Sequence, residues 1–191
     1  LNPWDVAYYA NLRAEEHFRL DQEELRRHFP LPRVLDGLFS LAERLYGIRV
    51  KEIPTRQSLS GIPAGESAGA VEVWHPDVRF FTIDDGNGDR LGSFYLDIFS
   101  RSNKRAGAWM NTLDTGSPST PETPGKPRLG MVCLNIHPPS AGDTVTLSHR
   151  EVRTLFHEFG HLLHLMFTRV SIPSLAGTSV PRDFVEVPSQ F

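Results

Sequence analysis

Residues 148–170, SHREVRTLFHEFGHLLHLMFTRV, place two histidines and a glutamate at a spacing suited to metal chemistry. His157, Glu158 and His161 form the pattern H-E-x-x-H. On an α-helix, four residues advance about 6 Å and return to nearly the same side, so both imidazoles face one point. Two imidazoles so placed can bind one zinc ion. Glu158 can reach a zinc-bound water from the adjacent face and act as its general base. The competing interpretation makes the histidines ordinary helix residues and Glu158 a solvated acid. His164 lies seven residues after His157, about 10.5 Å along the axis, so it is excluded as a ligand of the same metal and expected to pack or line the cleft.

A catalytic zinc takes three protein ligands and keeps one position open. The candidates for the third are Asp183 and Glu186 within 178–190, TSVPRDFVEVPSQ, where Pro181 suits the first turn of a second helix. Glu186 stands 25 residues after His161, enough for a loop and an approaching helix. Spacing alone does not rank the two acids. One can bind the metal while the other orients a ligand histidine.

The elements that position these residues are readable in outline. Ser148 followed by Glu151 is a capping box, and Val152, Leu155, Phe156, Phe159, Leu162, Leu163 and Met166 give the apolar positions of a helix. Residues 1–53 are expected to be helical. Trp4, Ala7, Tyr8 and Leu12 recur at helical spacing, and Asp21 with Glu24 suggests a cap for a short helix ending near Phe29. A stripe of Leu35, Leu38, Phe39, Ala42, Leu45 and Tyr46 is closed by Gly47. Residues 54–69 are a loop by composition, and 68–137 hold sheet and loops. Val78, Phe80, Phe81 and Ile83, then the turn Asp84–Asp89, then Phe94, Leu96 and Ile98 predict a hairpin. The acids of that turn lack the glycine position and distal glutamate of a calcium loop, so a plain turn is expected. Residues 111–128 are expected to be a surface loop. Pro118, Pro121, Pro124 and Pro127 within it match the three-residue repeat of polyproline II, the alternative being a peptide-ligand motif. Leu129 to Ile136 predict a further strand, with Cys133 as a small buried hydrophobe. The strand at 91–99 is expected to offer an edge to an extended peptide.

The predicted class is α+β, mainly helical, with a small antiparallel sheet beside the metal helix. The chain begins at Leu1 and stops at Phe191 within helix-like text, so 1–191 is read as one partial domain, with 148–191 supplying the metal-binding helices. Lys+Arg number 20 and Asp+Glu 23, a formal charge of −3, which argues against general nucleic-acid binding. No apolar run approaches the ~20 residues of a membrane span. A lone cysteine cannot form an internal disulfide, so a cytoplasmic or organelle-matrix setting is the default. Oligomeric state is not readable.

The segments Phe156 to His164, Gly177-Thr178 and Asp183 to Gln190 closely resemble the thimet oligopeptidase / oligopeptidase A family of zinc metallopeptidases. Pro3-Trp4-Asp5, Phe94-Tyr95-Leu96-Asp97 and Gly107-Ala108-Trp109-Met110 resemble further family segments. The resemblance implies a zincin-like core, zinc as cofactor and hydrolysis of short peptides. It makes Glu186 the third ligand beside His157 and His161, with Glu158 as base. Family members are several times longer, with a channel that excludes folded proteins, and their transition-state-assisting histidine and tyrosine lie beyond the matched segments. The expected function is therefore that of a zinc-dependent oligopeptidase, as a piece of its catalytic region. The alternatives are a metal-free or inactive structural or binding module, and a metal site hydrolysing a small-molecule ester or amide.

Overall fold

A computed structural model describes residues 2–18, 22–57, 69–117, 124–138 and 144–190. The described elements are α1 (Pro3–Phe18), α2 (Gln22–Arg26), α3 (Leu31–Tyr46), β1 (Arg49–Ile53), β2 (Thr55–Gln57), β3 (Val71–Val73), β4 (Arg79–Asp84), β5 (Arg90–Phe99), β6 (Trp109–Asp114), β7 (Arg128–Ile136), α4 (His149–Met166) and α5 (Val187–Gln190), with a 3-10 turn at Pro173–Leu175. The chain is α+β. Asp21 and the prolines at 118 and 121 lie outside the described residues, as does most of the 54–69 loop. No helix among the described residues is long and apolar enough to cross a membrane.

The main sheet has five strands in the order β1-β4-β5-β7-β6, and β2 pairs with β3 separately. The expected hairpin is present: β4 and β5 are antiparallel, with Phe81 opposite Phe94. Asp85 accepts the amides of Asn87 and Asp89 at 2.8 and 3.0 Å, which makes the connection a stapled turn without metal-loop geometry. Four expectations need correction. The sheet is mixed, because β5 and β7 run parallel. Residues 49–53 are strand where helix was expected, and 109–114 form a strand that extends into the expected loop. The strand at 91–99 is central, paired on both sides, and offers no edge; the outer strands are β1 and β6.

One sheet face builds the core. Phe81 and Ile83 of β4, Phe94, Leu96 and Ile98 of β5, and Val132, Leu134 and Ile136 of β7 are buried under α3 and α4. Helix α3 contributes Leu31, Val34, Leu35, Leu38 and Ala42, and ends at Gly47, whose φ of 67° is the left-handed conformation of a helix C-cap. Leu45 and Tyr46, assigned to the same stripe by spacing, are exposed, as are Trp4, Tyr8 and Leu12 on α1. Helix α4 contributes Leu155, Phe159, Leu162, Leu165 and Met166. Gly92 on β5 and Gly130 on β7 allow the close approach of α4, since a Cβ on the first would run into Met166 Sδ and one on the second would lie 2.5 Å from Leu162 Cδ1.

The opposite face carries a buried ionic cluster. Asp97 accepts from Trp74 Nε1 at 3.1 Å, from Arg101 through two nitrogens at 2.8 and 2.6 Å, and from Lys104 Nζ at 2.8 Å. Lys104 also donates to the carbonyls of Asp97 and Phe99 at 2.8 and 3.0 Å, which ties the 100–108 loop to the end of β5. Burial alone would raise the Asp97 carboxyl; the hydrogen bonds and charge of Arg101 and Lys104 outweigh it and hold the group below its ordinary value. Cys133 is buried beside this cluster, and desolvation pushes its thiol up to about 11, in keeping with a packing role.

Helix α4 begins with the expected capping box. Glu151 N–H donates to Ser148 Oγ at 3.2 Å, and Ser148 N–H donates to Glu151 Oε2 at 2.7 Å. Ser148→Ala should lower stability by about 1 kcal/mol in urea unfolding. A change below about 0.3 kcal/mol would show that the cap does not contribute to stability here.

Candidate metal centre

The helical repeat of α4 sets His157 and His161 on one side, with ring centroids 4.8 Å apart and planes at 85°. Their Nε2 atoms approach the same carboxylate oxygen, Glu186 Oε2, at 3.2 and 3.3 Å. One ligand atom from each of the three residues lies within 4.8 Å of the others. A tetrahedral centre with bonds of about 2.0–2.1 Å has ligand atoms about 3.3–3.4 Å apart, so the two histidine–Glu186 separations match those around a zinc-sized cation. The donor types suit it equally: two imidazoles and a carboxylate.

Glu186 reaches the histidines from a series of turns, not from the second helix expected to start at Pro181. Phe184 and Val185 donate to the Pro181 carbonyl at 3.0 and 3.1 Å, and Val187 donates to Phe184. Only Val187–Gln190 is helical. Pro188 has no N–H to bond the carbonyl four residues earlier, and its ring crowds that carbonyl, so a regular helix from 181 is interrupted there. Asp183 is exposed, and among the described residues no hydrogen bond or ion pair joins it to a histidine of the cluster. The structure thus brings together His157, His161 and Glu186 and leaves Asp183 out. His164 also stands apart, its ring 6.3 Å from Phe184. The Nδ1 atoms of His161 and His164 are buried without a partner among the described residues.

The electrostatics separate the roles. Burial lowers the pKa of His161 first, with Glu186 opposing and the neighbouring histidines adding to it, which favours the neutral imidazole that a metal requires. Burial is likewise the main cause that raises Glu158, 7% exposed; His157 and a backbone hydrogen bond from Met110 pull it down, and Glu186 pushes it up. A buried carboxylate raised toward neutrality is a better proton acceptor than a solvated one. His157 also lines an open cleft of about 910 Å³ between α3, α4 and residues 188–190, so the cluster is reachable from solvent.

Sequence reasoning missed two groups. The Met110 amide comes from β6, whose Asn111, Thr112 and Leu113 are exposed and show no alternating burial. Ser189 donates to Glu186 Oε2 at 3.1 Å and to the Glu186 carbonyl at 2.8 Å. A serine three residues after a ligand acid carries no signal by spacing alone.

Residues 1–191 match Peptidase family M3. The chain is 42% identical over 192 residues to "Oligopeptidase A" of Escherichia coli (strain K12), an alignment that covers 100% of this chain and 26% of that protein. It is 41% identical over 189 residues to "Dipeptidyl carboxypeptidase" of the same organism, covering 98% and 25%. It is 39% identical over 193 residues to "Organellar oligopeptidase A, chloroplastic/mitochondrial" of Arabidopsis thaliana, covering 98% and 22%. The chain therefore spans about a quarter of the length of the curated relatives it matches. With its whole length inside the matched region, the chain belongs to peptidase family M3, in the thimet oligopeptidase / oligopeptidase A group.

Proposed function

We propose that this chain is the metal-binding part of a zinc-dependent oligopeptidase with a zincin-like core. The observation that carries the proposal is the convergence of His157 Nε2, His161 Nε2 and Glu186 Oε2, with the buried acid Glu158 next to the first of them. Family membership supports peptide bonds as the target, and the names of the relatives support short peptides. Relatives named for the cytosol and for organelles support a cytosolic or matrix setting.

The three converging side chains would hold the zinc. When bound, zinc would lower the pKa of a coordinated water to near neutrality and offset charge developing on the scissile carbonyl oxygen. Glu158 takes the proton from the attacking water and delivers it to the departing amine nitrogen. The Met110 backbone N–H favours the ionised form of Glu158 against the burial that raises its pKa. β6 is an outer strand of the sheet, and its free edge is where an extended peptide would pair.

Metal analysis of the purified full-length protein tests this reading. One zinc per chain is expected, with loss of at least nine-tenths of it in His157→Ala. A wild-type protein free of divalent metal, or a His157→Ala variant that keeps it, would overturn the proposal and favour a structural or binding module.

A further inference from the structure

The segment that carries the third donor lies directly on the backbone of α4. At Gly160, between Glu158 and His161 in the same helical turn, an added Cβ would sit 2.6 Å from Ser189 Cα, 2.7 Å from the Pro188 carbonyl oxygen and 3.2 Å from the Pro188 carbonyl carbon. All three are main-chain atoms, so no side-chain rotation relieves the clash. Gly160 is buried in the interior of an 18-residue helix, where glycine is disfavoured relative to alanine. Its helical φ does not call for glycine; its neighbours do.

We propose that Gly160 is a positioning residue for the metal centre: its missing side chain is the clearance that lets Pro188–Ser189 seat against α4 and so carries Glu186 to the two imidazoles. The inference rests on the zinc reading above. Two contacts link the seat to the ligand. Ser189, whose Cα rests on Gly160, donates its hydroxyl to Glu186 Oε2 at 3.1 Å, the same oxygen that faces both Nε2 atoms. Gln190 N–H donates to the Glu186 carbonyl at 3.1 Å, closing the turn around the ligand.

An alanine at 160 must displace one partner. Helix α4 is anchored by Phe159 and Leu162, 3% and 0% exposed, whereas Val187 in the other segment is 52% exposed. The 186–190 segment is the one that yields. Moving its backbone from 2.6 Å to ordinary contact needs roughly 0.8 Å, several times the ±0.2 Å tolerance of a metal–ligand bond. Glu186 is carried off with it, while the histidines stay.

The test uses the full-length protein and reads zinc affinity by competition with a chromogenic chelator, together with the Tm of the metal-free form. Gly37→Ala on α3, where an added Cβ meets nothing within 4 Å, serves as the propensity control. Gly160→Ala is expected to weaken zinc binding about 10–100-fold, the range typical of groups that orient metal ligands, with a metal-free Tm at or above wild type. Gly37→Ala should leave zinc affinity unchanged. Ser189→Ala, which removes only a hydroxyl, should weaken zinc several-fold. Wild-type zinc affinity in Gly160→Ala overturns the inference, whatever Ser189→Ala does. So does a fall in metal-free Tm for Gly160→Ala with Ser189→Ala unaffected, which assigns Gly160 to packing alone. A wild-type protein that holds no zinc removes the metal reading itself, an outcome distinct from either of these.

Discussion

Glu158→Gln is expected to lower kcat about 10²–10⁴-fold while zinc content and KM stay near wild type. Glu158 is not among the three converging donors, so its replacement leaves the cation's ligands in place. Glutamine is nearly isosteric and its side-chain oxygen can still accept the Met110 N–H. Its amide nitrogen cannot accept a proton, so the loss falls on the chemical step. Steady-state hydrolysis of a fluorogenic short peptide, with metal analysis of the same sample, measures both quantities. Turnover within tenfold of wild type at full zinc content would remove Glu158 from its assigned role.

The second large effect lies on the other face of the sheet. Asp97→Ala should lower stability by about 3–5 kcal/mol in urea unfolding, because it leaves Lys104, with a side chain 4% exposed, as a buried and unpaired cation. The cluster also sets an acid limit. The Asp97 carboxyl is held below its ordinary value of 3.8, so its contribution is present above that unfolded value and is lost as pH falls through the lower folded one. Wild-type stability should therefore drop over that window, and Asp97→Asn should flatten this part of the profile. An unchanged slope in Asp97→Asn would show that other carboxylates carry the acid response.

What the sequence revealed followed burial. The hairpin of β4 and β5 and the strand β7 were legible because Phe81, Ile83, Phe94, Leu96, Val132 and Leu134 lie inside a two-sided environment and give an apolar text. The outer strands were not. In β1 and β6 only one neighbour is available, side chains such as Lys51 and Thr112 face solvent, and the pattern reads as helix end or loop. The parallel pairing of β5 with β7 was invisible for a different reason: it depends on the chain passing outside its own next strand, which no local pattern encodes. His157, Glu158 and His161 could be read from a single helical turn, since the helix fixes their geometry. Glu186 could not be separated from Asp183 by spacing; a turn interrupted by Pro188, not a regular helix, decides which acid points at the histidines. Leu45 and Tyr46 show the opposite error, with correct periodicity but only partial cover: Tyr46 rests on Phe167, and both remain exposed.

The placement of β7 between β5 and β6 has a consequence for the chain as it is synthesised. β5 ends at Phe99 and β7 begins at Arg128, so roughly 30 residues leave the ribosome, about 1.5–6 s at 5–20 residues per second, before β5 gains its second permanent neighbour. Throughout that interval a long apolar strand displays unpaired amides and carbonyls, a template for wrong association. β6 emerges first and can occupy the vacancy, after which it must be expelled to let β7 in. Nascent-chain yield, and demand for chaperones, should therefore respond most to substitutions that make β6 a better competitor for that slot.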